Sequence, residues 1–119
     1  RLYRSAHLAS LTPAGVGQLA FLGVARVVDL RGTTERLSGL APVPGHLIEI
    51  LSTPVEPRSS ETVRQMLSDG RLDRVQLREH MIASYRGYVT EAAEIFGDAI
   101  HAIATAGERA ILVHCTAGK

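Results

Sequence analysis

The sequence predicts an α/β fold, a small and mainly parallel sheet flanked by helices. Twice along the chain a helical pattern runs directly into a short apolar segment: residues 12–23 precede 24–30, and residues 90–107 precede 110–113. A helix followed at once by a short apolar strand is typical of α/β layering. The 119 residues are 45% hydrophobic and 21% charged. That composition is globular, and the length suits one domain.

The first helix–strand unit starts at Thr12-Pro13. Thr caps a helix well, and Pro is favoured at the first helical position. The apolar residues that follow share one face, and Gly23 offers a left-handed stop. Val27-Val28 then indicates a short buried strand that residues 29–32 end.

The middle of the chain carries weaker signals. Residues 47–51 predict a second short strand, and residues 52–60, with two prolines, predict an irregular loop. Helices are predicted over 61–68 and over 72–85.

The clearest helical pattern comes next, with Thr90 as its predicted cap and Gly107 as its end. Residues 110–113 form a fully apolar strand that delivers His114-Cys115 at its carboxyl end. Ligands of open α/β sheets bind at the carboxyl ends of strands, so we expect function there. The apolar positions that repeat at three and four residues in this helix are Ala92, Ile95, Phe96, Ala99, Ile100 and Ile103.

Composition excludes several classes of protein. The net charge of +1 does not indicate a nucleic-acid binder. A single cysteine permits no intrachain disulfide and no zinc site built on several cysteines, and the five histidines show no pair at metal spacing. We therefore expect no metal and no cofactor. The sequence has no membrane span and no signal-peptide pattern. It favours a cytoplasmic protein, leaves secretion without a signal peptide open, and indicates no oligomeric state.

Residues 113–119, Val-His-Cys-Thr-Ala-Gly-Lys, carry the chemistry. Small residues and Gly118 allow a tight turn whose N–H groups point inward and bind an anion. Such surroundings lower a thiol pKa and make a cysteine nucleophilic. The plain alternative is that Cys115 is a buried core residue. A nucleotide-binding Walker loop is excluded because it needs a glycine where Val113 stands.

The loop resembles the phosphate-binding loop of the cysteine-dependent phosphatases, whose signature is His-Cys, five residues, then Arg. The Gly118-Lys119 pair resembles the bacterial tyrosine/serine protein phosphatases, a branch that includes mycobacterial phosphatases of lipids and proteins, and also the phosphoinositide phosphatases. The likeness covers most of the chain. Its other matching segments are residues 2–8 (Leu-Tyr-Arg-Ser-Ala-His-Leu), 11–15, 22–24, 27–31 with Glu35, and Tyr85-Arg86.

The resemblance implies a cysteine-phosphatase-like core and a catalytic Cys115 that attacks phosphorus without metal or cofactor. Substrate oxygens would be held by Thr116, Ala117, Gly118 and Lys119. His114 would orient the loop, and Asp29 and Arg31 would border the site from another strand end, although a local Asp–Arg ion pair is the plain alternative for those two. The implied partner is a phosphorylated protein (phosphotyrosine, or phosphoserine and phosphothreonine) or a phosphoinositide.

The resemblance also implies that part of the family domain is absent from these 119 residues. The signature Arg would be the second residue after Lys119, and an acidic residue that resembles the general acid would precede it. The helices that follow the loop would also lie beyond this point. We therefore expect residues 1–119 to be a single, incomplete phosphatase domain. Alone it should be essentially inactive as a phosphatase.

Three questions remain open from the sequence. A general acid within the chain would be Glu56, Asp69 or Asp73, each of which is equally an ordinary surface carboxylate. A rhodanese-type sulfurtransferase also uses a strand-end cysteine in an anion cradle. A catalytically inactive phosphate-binding module would use the same loop without turnover.

Overall fold

The computed structural model describes residues 1–37, 39, 42–43, 46–56 and 60–118. They form four strands and five helices, which confirms the predicted α/β class. The elements in chain order are β1 (Leu2–Ser5), α1 (Pro13–Phe21), β2 (Val24–Asp29), α2 (Thr33–Leu37), β3 (Glu49–Ser52), α3 (Ser60–Ser68), α4 (Arg74–Glu91), α5 (Ala93–Ala104) and β4 (Ala110–His114).

All pairings in the sheet are parallel, and the strand order is β1-β4-β2-β3. The last strand of the chain therefore lies inside the sheet, between β1 and β2. Ser5, His114, Asp29 and Ser52 are register partners across the four strands. Because each of them ends its strand, they form one polar row at the carboxyl edge of the sheet.

Two apolar clusters lie on the two faces of the sheet. One contains Val27 and Leu112 with Leu19 of α1, and the other contains Val28 and Ile111 with residues of α5. Neighbouring strand residues point to opposite faces, so β2 and β4 supply both clusters. Such two-sided burial explains the apolar run at 110–113 in β4 and the consecutive Val27-Val28 in β2.

Most predicted elements are confirmed, with shifted bounds in the middle of the chain. Thr12 caps α1 by accepting from the N–H of Gly15 at 3.2 Å. Strand β3 is displaced from the predicted 47–51 to Glu49–Ser52. Residues 53–56 have no helix or strand, as predicted, while 57–59 of that predicted loop lie outside the described residues.

The predicted boundary between the last two helices is wrong. Helix α4 begins after Asp73, which forms a capping box with Gln76, and continues to Glu91. Thr90 therefore lies inside α4, where its hydroxyl donates to the carbonyl of Arg86 at 3.2 Å. Helix α5 follows Ala92, which has no side-chain cap. Threonine is a common helix cap, but the hydroxyl of Thr90 bonds back to the preceding turn of α4 instead.

Two short elements, β1 and α2, have no counterpart among the predicted helices and strands. Strand β1 alternates exposed and half-buried residues along Leu2–Ser5, and α2 spans five residues, none of them buried. Along the parts of the chain that the structure describes, no helix combines the length and apolar character that crossing a bilayer requires.

Candidate active site

Strand β4 places His114 and Cys115 at the carboxyl edge of the sheet, between two other strands. His114 is buried, and Cys115 is partly exposed just beyond it. The N–H of Leu30, in the turn after β2, donates to the carbonyl of His114 at 2.9 Å. The two strand ends are thereby joined directly below the thiol. The first residue of the loop is thus fixed by the sheet itself.

Gly118 closes the loop over the thiol. Its N–H donates to Cys115 Sγ at 3.3 Å, a contact that stabilises negative charge on sulfur. Gly118 has φ +75°, and a Cβ there would lie 2.7 Å from the backbone nitrogen of Ala6. The position needs glycine both for its conformation and for the close approach of the chain after β1.

Thr116 is held from two sides. Its carbonyl accepts from the N–H of His7 at 3.2 Å. Its hydroxyl donates to Glu35 Oε1 at 2.5 Å, and Glu35 Oε2 accepts from the N–H of Gly32 at 3.0 Å. The loop is thus bound to the segment after β1 on one side and to α2 on the other.

A buried ionic network lies beneath the loop. Arg31 donates to both carboxylate oxygens of Asp29, with Nη2 to Oδ2 at 2.8 Å, and a further nitrogen donates to the carbonyl of Gly39 at 2.9 Å. His114 Nε2 lies 3.7 Å from Asp29 Oδ1, and its Nδ1 lies 3.3 Å from the carbonyl of Cys115. The network therefore connects β2 directly to the backbone that carries the thiol.

Burial and charge act differently on the members of this network. Burial favours the neutral form of Asp29, but the hydrogen bonds from Arg31 outweigh it and hold the pKa of that carboxyl below its usual value. For His114, burial is the largest effect and lowers its pKa despite the nearby Asp29. The network thus consists of an ionised Asp29–Arg31 pair, the guanidinium of Arg36 with its Nε 3.6 Å from Asp29 Oδ2, and an imidazole that stays neutral at neutral pH.

A cavity of about 400 Å³ opens beside the thiol. Strands β1 and β4 and helix α5 supply its walls, which are mainly apolar, with the guanidinium of Arg4 as the charged group among the described residues. A larger groove runs along α4 and shares no lining residue with this cavity. Cys115 and Gly118 line the smaller cavity together with Leu2, Tyr3, Arg4, Ser5, Leu30, Ile103, Val113 and His114.

The structure brings most of the predicted site residues together. Cys115 and the loop residues Thr116, Ala117 and Gly118 are continuous with His114, and the Asp29–Arg31 pair lies next to it. Asp29 and Arg31 form the local ion pair that was their plain alternative, and they also support the site edge. Lys119 lies outside the described residues.

The three acidic candidates each have another contact. Glu56 accepts from the N–H and the hydroxyl of Thr33, and those hydrogen bonds lower its pKa, which is unfavourable for an acid that must hold a proton at neutral pH. Asp69 pairs with Arg71, and Asp73 caps α4. None of them lines the cavity beside Cys115 in the part of it that the structure describes.

The sequence reasoning did not assign a role to two residues that contact the loop. Both residues belong to segments that resemble the cysteine-dependent phosphatases, and the resemblance implied no contact with the loop for either of them. Each contact crosses from one strand end to another, and the Glu35–Thr116 pair is separated by 81 positions. Among the described residues, no three His, Cys, Asp or Glu side chains gather as metal ligands.

The fold and this edge define an α/β protein with a cysteine-bearing loop at the carboxyl end of an internal parallel strand. The sequence profile of the tyrosine phosphatase family matches residues 1–119, the whole of the given chain, and the chain belongs to that family. It is accordingly a phosphatase. A comparison with curated proteins found no match.

Proposed function

We propose that this phosphatase hydrolyses phosphomonoesters through a covalent phosphocysteine at Cys115, with phosphotyrosine as its main substrate class. The observation that supports the proposal is the hydrogen bond from the N–H of Gly118 to Cys115 Sγ at 3.3 Å. A backbone donor aimed at the sulfur, at the end of an internal strand and beside an open cavity, places the cysteine nucleophile where a substrate can reach it.

The first chemical step is a displacement at phosphorus. The Cys115 thiolate attacks phosphorus, the S–P bond forms, and the P–O bond to the alcohol or phenol breaks. The leaving oxygen takes a proton from an acid. We assign this role to none of Glu56, Asp69 and Asp73, because each is engaged elsewhere.

In the second step, water attacks phosphorus and gives its proton to the acid that was deprotonated in the first step, the S–P bond breaks, and inorganic phosphate and the thiolate are released. In both steps negative charge sits on the three outer phosphate oxygens. Backbone N–H groups of residues 116–119 hold those oxygens, and the Lys119 side chain adds positive charge. Donors of this kind stabilise a transition state strongly, by about 3–4 kcal/mol for a single oxyanion donor.

His114, Asp29 and Arg31 support the loop without touching substrate in this proposal. A neutral His114 next to the Cys115 carbonyl keeps the loop start in place, and the buried pair fixes His114. A neutral imidazole also avoids adding a buried charge beside the Asp29–Arg31 pair.

The shape of the cavity supports phosphotyrosine over the smaller and the more polar substrates. Leu30, Ile103 and Val113 give it apolar walls next to the thiol. An aromatic ring gains from such walls, whereas an inositol head group would leave its hydroxyls without partners there. Phosphoserine would reach the loop but fill little of the cavity. Phosphotyrosine should therefore bind more tightly than either.

The anion site is tested by alkylation of Cys115 with iodoacetamide. Inorganic phosphate should slow the reaction in a saturable way, and free phosphotyrosine should do so at lower concentration than phosphoserine. Since Cys115 is the only cysteine, mass spectrometry reports this site alone. Alkylation that neither phosphate nor phosphotyrosine slows would refute the proposal. Equal protection by phosphoserine and phosphotyrosine would refute the substrate preference.

The other two chemistries have distinct outcomes in the same preparation. A sulfurtransferase would form a persulfide at Cys115 and release sulfite when given thiosulfate. A binding module would hold phosphate with the same affinity after Cys115→Ser, because its ligand would need no thiolate. In the proposed phosphatase, the serine variant changes phosphate affinity, since the charged sulfur lies against the bound anion.

A further inference from the structure

Glu35 joins the turn after β2 to the loop after β4. Its Oε1 accepts from the Thr116 hydroxyl at 2.5 Å, and its Oε2 accepts from the N–H of Gly32 at 3.0 Å. With a separate donor on each oxygen, the carboxylate is held in one orientation. Helix α2, which carries Glu35, is therefore tied to the residue directly after the thiol.

The opposite side of Thr116 is tied as well. The N–H of His7 donates to its carbonyl at 3.2 Å. Thr116 is therefore held both at its carbonyl and at its side chain, which leaves its backbone little freedom to rotate. The backbone N–H groups that follow Thr116 are directed by that restraint.

Charge and geometry predict opposite roles for Glu35. The Glu35 carboxylate contacts a residue of the phosphate-binding loop and therefore repels a bound anion. On charge alone, its removal should strengthen phosphate binding. If its role is to hold Thr116, its removal should weaken phosphate binding even though a negative charge is lost. The sign of the effect therefore separates the two.

We propose that Glu35 is a positioning residue of the phosphatase loop. It fixes Thr116 through the hydroxyl, so that the N–H groups of the loop face the anion before the anion arrives. The proposal rests on the proposed function, because it takes phosphate as the ligand of the loop. Binding then needs less ordering of the loop, which increases affinity.

The experiment measures the dissociation constant of inorganic phosphate from its protection of Cys115 against iodoacetamide. Glu35→Ala and Thr116→Val each remove the contact, and each should weaken phosphate binding about tenfold, as expected for a lost hydrogen bond to a charged group. Thr116→Ser keeps the hydroxyl and should recover most of the affinity that Thr116→Val loses. Glu35→Gln keeps one of two acceptors and should fall between.

The matched control is Glu49→Ala. It makes the same change of side chain and charge at an exposed carboxylate on β3, where the partner is Arg26 at 2.8 Å. This variant should leave the dissociation constant of phosphate unchanged. An equal loss in Glu49→Ala would overturn the proposal, since the effect would then not depend on a contact with Thr116.

The double variant Glu35→Ala with Thr116→Val supplies a second test. If the two groups act through one contact, the double variant binds phosphate no more weakly than either single variant. Additive losses, unchanged binding in Thr116→Val, or tighter binding in Glu35→Ala would each overturn the positioning role.

Hydrogen exchange of residues 115–118, measured without phosphate, tests the positioning role of Glu35 separately from the proposed function. Both single variants should speed exchange in this loop, and Thr116→Ser should not. If phosphate fails to protect the original chain, the proposed function is wrong, and exchange alone then decides on Glu35. Unchanged exchange in both variants would overturn the positioning role in that case too.

Discussion

Two Asp–Arg pairs in this chain share the same sequence spacing and nearly the same closest N–O distance but lie in different surroundings. Arg31 meets Asp29 at 2.8 Å with side chains 2% and 3% exposed, and Arg71 meets Asp69 at 2.7 Å with side chains 60% and 37% exposed. The first pair lies at the carboxyl edge of the sheet. The second lies in the connection between α3 and α4.

The difference shows that burial, rather than the ion pair itself, determines how strongly the fold depends on the contact. In solvent the two charges are screened, and the pair adds little stability. In the sheet edge each charge needs the other, because neither has water to replace its partner. Substitution of Asp29 or Arg31 should therefore destabilise the fold strongly, while substitution of Asp69 or Arg71 should have little effect on stability.

The largest expected effect is the loss of the buried carboxylate. Asp29→Ala leaves Arg31 charged and buried, so the free energy of unfolding should fall by about 3–5 kcal/mol. Asp69→Ala removes the same group from the exposed pair and should cost about 0–1 kcal/mol. Urea denaturation followed by circular dichroism measures both. Similar losses in the two variants would contradict the comparison.

Two glycines with positive φ provide the next contrast. Gly70 has φ +65° with open space around its missing Cβ, so Gly70→Ala should cost only the conformational strain of about 1–2 kcal/mol. At Gly118 a Cβ would also meet the backbone of Ser5 and Ala6. Gly118→Ala should cost more and abolish phosphate protection of Cys115. Retained protection in that variant would show that the loop does not depend on this close approach.

A smaller effect is expected from the cap of α4. Asp73 accepts from the N–H groups of Val75 and Gln76, both at 2.8 Å, so Asp73→Ala should reduce stability by about 1 kcal/mol. Hydrogen exchange should speed up near the start of α4, while phosphate protection of Cys115 should stay the same. A change in protection would show that the two regions are energetically coupled.

The smallest expected effect is a change in the pH dependence of stability. The pKa of His114 is lower in the folded chain than in the unfolded chain, so the unfolded state binds more protons as pH falls below about 6.5. The stability that His114 contributes is therefore fully present above that pH and declines as the pH falls below it. In His114→Gln this decline should be shallower, measured as unfolding free energy against pH.

The elements that could be predicted from sequence are those whose pattern is local. The Thr12-Pro13 start and the apolar run at 110–113 need no knowledge of the rest of the chain. Strand β1 was missed because an edge strand with alternating exposure has no apolar run. The end of α4 was misplaced because helix continuation past Gly87, which is buried in the structure, depends on packing.

The candidate site divides in the same way. The His114-Cys115 pair and Gly118 lie close together in sequence and were predicted as one loop. Glu35 reaches Thr116 only because α2 follows β2 and β4 lies next to β2 in the sheet. Strand order is a long-range property, and single-sequence periodicity does not contain it. The buried state of the Asp29–Arg31 pair was left open for the same reason.

The internal position of β4 has a consequence for how the sheet is completed. Strand β1 pairs with β4 alone in the strand order, beginning with Leu2 opposite Ile111. The two strands are separated by residues 6–109. Closing so long a segment is slow compared with forming local contacts, so β1 should join the sheet late in folding. The strand that joins β1 to β2 is the same strand that carries the nucleophile. Because Thr116 bonds to His7 and Gly118 lies against Ser5 and Ala6, the loop around Cys115 is complete only after β1 has joined the sheet.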